Sequence, residues 1–139
     1  MGVEINYLAV ILAMISSMVI GSIWYARPVF GNMWIKLAKI DMKKQGAPMW
    51  QPIVITLVVS LITAYVLAHV TFLSHSFFGD SYVQDAVTTA FWLWLGLTAA
   101  RFVTHDAFEG RPWKLTVLNC AHELVTLLVM GLIIGLMGV

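Results

Sequence analysis

Four stretches of this chain stay apolar for about 20 residues each, the length an α-helix needs to cross the ~30 Å hydrocarbon layer of a bilayer. They lie at about 5–26, 53–73, 86–104 and 115–137. Inside lipid there is no water to satisfy unpaired backbone groups, so a segment of this kind has to close its hydrogen bonds within itself as a helix. The expected fold class is all-α: one domain over residues 1–139, an integral membrane bundle of four transmembrane helices. Composition leads the same way, since only 11% of the residues are charged, against about 25% in a soluble domain. Too few polar side chains exist to cover a core of this size, and lipid has to cover it instead. A net charge of only +1 points to no nucleic-acid partner, since such a binder would show a basic face and a high pI. The single Cys120 excludes an internal disulfide.

The runs differ in what interrupts them. The first is free of charge and stops at Arg27-Pro28, where proline lacks a donor and restricts the residue before it. With an acid at Glu4 and no basic leader, it reads as a retained span. The second contains only His69, and the third only Arg101, close enough to the end for its long side chain to snorkel. The fourth carries Asn119, His122 and Glu123; a central acid costs about 2.5–3.5 kcal/mol, which a dozen Leu, Ile and Val at about 0.3–0.6 kcal/mol each offset. Trp24, Tyr25, Trp50, Tyr82 and Trp113 fall at run ends, where amphipathic rings suit the headgroup level, whereas Trp92 and Trp94 read as packing aromatics.

The connections carry their own signals. Ser81 to Gln84 has the form of a capping box, with the Gln placed to reach back to the cap N–H. Gly110-Arg-Pro-Trp113 reads as a helix stop followed by a start, with proline at the first helical position, so the third helix can continue to Glu109. Between the first two spans, Phe30, Met33, Trp34, Leu37 and Ile40 recur at helical spacing, with Lys36, Lys39, Lys43 and Lys44 at other positions. This predicts a basic interfacial helix over about 30–44, with anionic lipid as its partner; the alternative is an irregular solvated loop. All eight Lys and Arg lie in or beside the first and third connections, and none lies in the second or at either end. Positive-inside then puts both basic connections in the cytoplasm and both termini outside, in the plasma membrane, or the inner membrane of a bacterium. A short echo, Phe30-Gly31-x-x-Trp34 against Phe108-x-Gly110-x-x-Trp113, raises a duplicated hairpin as one reading and coincidence as the other.

Gly21-Ser-Ile-Trp24-Tyr25, Phe30-Gly31-Asn-Met-Trp34, Phe108-Glu-Gly-Arg111, Asn119-Cys-Ala-His122 and Met130-Gly131 together resemble a family of small membrane proteins known as domain of unknown function 1761, from about Tyr7 to Met137. The resemblance implies a four-span membrane protein. It implies no activity, substrate or cofactor, and assigns no catalytic residue.

Ionisable residues inside a span are costly and are functional candidates when they face protein or water. Asn119, His122, Glu123 and Thr126 follow the i, i+3, i+4, i+7 pattern of one helix face, and at ~1.5 Å per residue Glu123 lies ~12 Å from Leu115, near mid-depth. On the third run Thr98, Arg101 and His105 share a face. The candidate intramembrane polar site is therefore Arg101, His105, Asn119, His122 and Glu123. Its functional reading is proton or anion handling; the competing one is a buried Arg101–Glu123 ion pair that only fixes helix register. Metal or haem is disfavoured, since His69, His75, His105 and His122 share no depth and no Cys-x-x-Cys or His-x-x-Glu-His spacing occurs, so no cofactor is expected. Adjacent helical residues diverge by ~100°, so His122 and Glu123 do not form a pair by spacing. Gly131, Gly135 and Gly138 form a close-packing face, toward a helix of this chain or toward another subunit. No nucleophile motif or phosphate loop is present, which disfavours an enzyme. The leading function is a small, oligomeric transport or channel-type protein; a non-catalytic scaffold subunit is the alternative, and a membrane redox protein or enzyme the third class.

Overall fold

The computed structural model describes residues 2–44, 46 and 48–139; Met1, Gln45 and Ala47 lie outside the described residues. Four long apolar helical segments dominate, and no strand occurs among the described residues. The first is α1 (Tyr7–Trp24), followed by a π-helical turn (Arg27–Gly31) and the short α2 (Asn32–Ala38). The second is α3 (Trp50–Phe78). The third runs from Tyr82 to Glu109 as α4 (Tyr82–Leu93), a π-helical segment (Trp94–Ala99) and α5 (Ala100–Glu109). The fourth is α6 (Trp113–Met137). α1 falls within the apolar stretch at 5–26, whereas the other three segments outrun theirs because a helix needs only its caps, not lipid, to continue.

Those caps are specific. The Asn6 side chain accepts from the Ala9 N–H and its amide donates to the Met137 carbonyl, tying the start of α1 to the end of α6. Ser81 caps α4 by accepting from Gln84 N–H at 3.2 Å, but the Gln84 amide donates to Asp80 at 3.3 Å rather than back to the cap. Gly110 takes the left-handed conformation (φ 67°) expected of it and ends α5, with the Arg111 N–H donating to the Asp106 carbonyl. Pro112 falls one position earlier than expected, just outside α6.

The four segments are held together by one repeated device. Each carries small residues four apart that are buried: Ala9, Ala13 and Ser17 on α1, Ser60, Ala64 and Ala68 on α3, Ala86 and Ala90 on α4, Gly131 and Gly135 on α6. Such rows let backbones approach closely, which is how helices associate where lipid removes the hydrophobic drive. The closest approach is α4 on α6: a Cβ added at Gly135 would stand 2.6 Å from Val83 Cα, and one at Gly131 3.0 Å from the Ala86 carbonyl oxygen. The glycine face thus seats a helix of the same chain. Gly138 is not part of it; it ends α6 with φ 65° and has open space around it.

All of these seams lie toward the end of the bundle that holds the chain's two described ends, here called the neutral end; the Lys and Arg side chains define the opposite, basic end. At the basic end α3 leaves the bundle, and every residue from Trp50 to Val59 is exposed. The structure also shortens the interfacial helix expected over 30–44. Lys39 adopts a left-handed conformation (φ 53°) that stops α2, and the Asp41 carboxylate accepts from Lys43 N–H at 2.9 Å, closing a turn that holds Lys43 and Lys44 outside the helix. Lys36 alone of the four lysines lies within α2. The Phe-Gly-x-x-Trp echo has no structural counterpart: Gly31 is buried inside a helical turn with negative φ, Gly110 is a left-handed helix stop, Trp34 is mid-helix and Trp113 opens one.

Replacing Gly135 with Ala is expected to destabilise the bundle by about 1–3 kcal/mol, because the new methyl meets backbone that has to move. Gly96→Ala, at a helical position with nothing within 4 Å, serves as the neutral control. Unfolding in mixed detergent micelles measures both; equal stability of the two variants would contradict the seam.

Candidate functional site

Because α3 splays, a cleft of about 590 Å³ opens between α1, α3 and α6 on the basic side of the seams. Its floor is formed by the buried Ser17, Ser60, Thr126, Leu127 and Met130, and its mouth by Met49, Pro52 and Ile53 of the α3 approach with Trp34 of α2. The polar wall is α6. His122 Nδ1 lies 3.2 Å from Glu123 Oε1, and His122 Nε2 lies 3.5 Å from Thr126 Oγ1, so the imidazole bridges the carboxylate and the hydroxyl. Sequence spacing argues against a His122–Glu123 contact; the glutamate's length closes the angular gap between adjacent positions. Glu123 is the one carboxylate lining the cleft among the described residues, its side chain 35% exposed, and no Lys or Arg lines it.

An aromatic cluster buttresses His122. Its ring centroid is 4.9 Å from that of Tyr25 and 5.9 Å from that of Trp24. Tyr25 packs edge-on to Trp34 at 5.4 Å, and Trp24 lies 4.7 Å from Phe30. The Tyr25 hydroxyl donates to Asn119 Oδ1 at 2.9 Å. Trp24 and Tyr25 are therefore occupied by contacts within the protein rather than serving simply as headgroup anchors. The turn that presents them depends on Gly31, whose N–H donates to the Ala26 carbonyl at 2.9 Å; a Cβ there would fall on the Tyr25 carbonyl oxygen. Sequence reading missed Tyr25 and Trp34 as site residues. The available signal was the break at Pro28, which Tyr25 precedes and Trp34 follows, since a span interrupted there has to turn inward or outward.

The five candidate residues divide into two groups. Asn119, His122 and Glu123 belong to the cleft and its wall, as their shared helical face requires. Arg101 and His105 line a second, separate groove of about 340 Å³ with Thr98, Phe102 and Asp106. No ion pair joins Arg101 to Glu123 among the described residues. Two residues along a helix is a turn of ~200°, so Arg101 points away from the face that carries the buried Ala99. That packed face is fixed by Trp94, whose indole N–H donates to the Cys120 carbonyl at 2.9 Å, and by the buried Asp106, which accepts from the Thr116 hydroxyl at 2.7 Å. Arg111 pairs with Glu109 at 2.6 Å and lies 3.9 Å from Asp106. At the neutral end a further buried acid, Asp85, meets His75 Nδ1 at 2.8 Å. No three His, Cys, Asp or Glu side chains converge as a metal site among the described residues.

A four-span helical membrane protein with a largely apolar cleft that carries one polar wall is the class that this architecture defines. The chain belongs to the family described as Protein of unknown function (DUF1761), whose model matches residues 8–135. No curated protein and no solved structure matches it.

Because Arg101 and Glu123 line different clefts, Arg101→Met and Glu123→Gln are expected to act additively on stability, with a coupling below about 0.5 kcal/mol. Tyr25→Phe and Asn119→Ala share a hydrogen bond and should couple by about 0.5–1.5 kcal/mol. Double-mutant cycles in detergent measure both; strong coupling of the first pair would overturn the separation of the two clefts.

Proposed function

We propose that this protein is a small transport-type membrane protein whose working site is the cleft at Glu123. The single observation that carries the reading is the cleft between α1, α3 and α6, which has the splayed part of α3 at the basic end and the buried Ser17, Ser60, Thr126, Leu127 and Met130 as its floor toward the neutral end. An open pore would need a path through both halves. A one-sided cavity instead suits alternating access, in which a bound species is exposed to each side in turn. Glu123, His122 and Thr126 form a chain of proton-exchanging groups along one wall, so proton movement belongs to the proposal. Four helices of this length enclose little space, and the exposed apolar face of α3 offers a surface for a second copy; the protein acts as an oligomer in this reading. That same exposed face also favours a second reading, in which α3 and the cleft receive a helix of another membrane protein and the chain is an interaction subunit.

The eight Lys and Arg support an orientation with the basic end in the cytoplasm and both termini outside, in a plasma or bacterial inner membrane. Lys36, Lys39, Lys43 and Lys44 then meet anionic lipid, at roughly 1 kcal/mol for each residue near the surface.

Proteoliposomes under an imposed potential, with a pH-sensitive dye inside, test the transport reading. Wild-type protein and Arg101→Met should pass protons, and Glu123→Gln should lose at least tenfold of that flux while still assembling. Flux unaffected by Glu123→Gln would overturn the reading, and loss of co-purifying partners with no flux in any variant would favour the interaction subunit. For orientation, Ser76→Cys should label from outside intact cells and Lys43→Cys should not; the reverse pattern would invert the topology.

A further inference from the structure

The cleft combines three features that one class of ligand satisfies together. It holds a carboxylate with no Lys or Arg among the lining residues, so its field favours a positive charge. It presents the rings of Tyr25 and Trp34, which attract cations through their faces. Most of its remaining wall is apolar, including Met18, Ile53 and Met130, and its volume of about 590 Å³ lies in the range of about 300–1,000 Å³ typical of sites for drug-sized molecules. An anion finds no Lys or Arg there, and the one imidazole of the lining, His122, is already engaged by Glu123 and Thr126. A divalent metal ion finds one carboxylate and one imidazole, short of the ligands it requires. A plain acyl chain has no use for Glu123. The α3 wall of the cleft, with Pro52, Ile53, Thr56 and Val59, belongs to the exposed Trp50–Val59 stretch, which adds apolar surface for the body of a drug-sized molecule.

We propose that the cleft binds a hydrophobic organic cation, its charge beside Glu123 and its apolar body against Trp34, Tyr25 and the methionine-bearing wall. The inference rests on the transport reading only for the fate of the cation once bound; the site itself is argued from charge, rings and volume. Methionine adapts to irregular shapes, which fits a site that accepts a class of molecules rather than one.

Tetraphenylphosphonium is the probe, with tetraphenylborate as the anion of the same shape, both titrated into the full-length protein in nanodiscs of zwitterionic lipid and read by calorimetry and by tryptophan fluorescence. Saturable binding of the cation, with at least tenfold weaker binding of the borate, is expected. Glu123→Gln should weaken cation binding at least tenfold while leaving the borate unchanged. Glu123→Asp should retain much of the affinity, which separates loss of charge from loss of fold, and Trp34→Leu should weaken cation binding in a protein that still carries the acid. Arg101→Met, in the other groove, should bind as wild type. Equal affinity for the two ions, or cation binding indifferent to Glu123→Gln in correctly folded protein, would overturn the proposal. Proton flux that depends on Glu123 in a protein that binds no tetraphenylphosphonium would leave transport standing and remove this ligand class. Cation binding without any flux would do the opposite.

Discussion

Close backbone contact at small residues is the constraint on which everything else in this protein depends. Lipid tails solvate Leu and Val as well as another helix does, so the bundle cannot be assembled by hiding apolar side chains. It is assembled where side chains are nearly absent: Gly135 over Val83, Gly131 over Ala86 and Ala90, and the Ala and Ser rows of α1 and α3. These rows stop partway along the helices. Past Ser60 toward the basic end, the same face of α3 continues with Thr56 and Pro52, both exposed, because the helix diverges there. The cleft is the place where the packed seams give out, and on the polar stripe of α6 Glu123 stays partly exposed there while Tyr25 covers His122 and Asn119.

The π-helical segments set what faces what within that frame. In the third span, the Trp94–Ala99 segment lies between two anchors on α6, the Trp94 indole on Cys120 and the Asp106 carboxylate on Thr116. In the first, the turn at Arg27–Gly31 brings Tyr25 and Trp34 together beside His122 instead of letting the chain run straight on. Widened turns are frequent at functional sites; the one in the third span re-aims side chains without ending the helix, whereas the one in the first follows the end of α1 and an extended Ala26.

How much of this could be read in the sequence differs by level. Hydropathy alone reveals the four spans, since the bilayer imposes a length and a polarity on each. The shared face of Asn119, His122, Glu123 and Thr126 is equally legible, because it depends only on 3.6 residues per turn. What neighbours that face is not legible: periodicity fixes angles within a helix, not between helices, and so Arg101 could be matched to Glu123 on depth while pointing elsewhere. Tyr25 and Trp34 escaped because position at a run end suggested a headgroup role, and Asp106 because it lay beyond the apolar stretch although its helix did not end there. The small-residue rows on α1, α3 and α4 were visible in principle, being the same four-residue spacing recognised at Gly131 and Gly135. Lys39 illustrates the opposite case, a residue with no local preference for the left-handed turn that it adopts.

The splayed part of α3 is also a lever. Ten residues of continuous helix between Trp50 and Val59 form an arm about 15 Å long, anchored at Ser60 and free along its length. On an arm of that length a difference of about 15° in direction at Ser60 corresponds to roughly 4 Å at its tip, so the angle at which α3 leaves the bundle sets the width of the cavity while the seams beneath it stay packed.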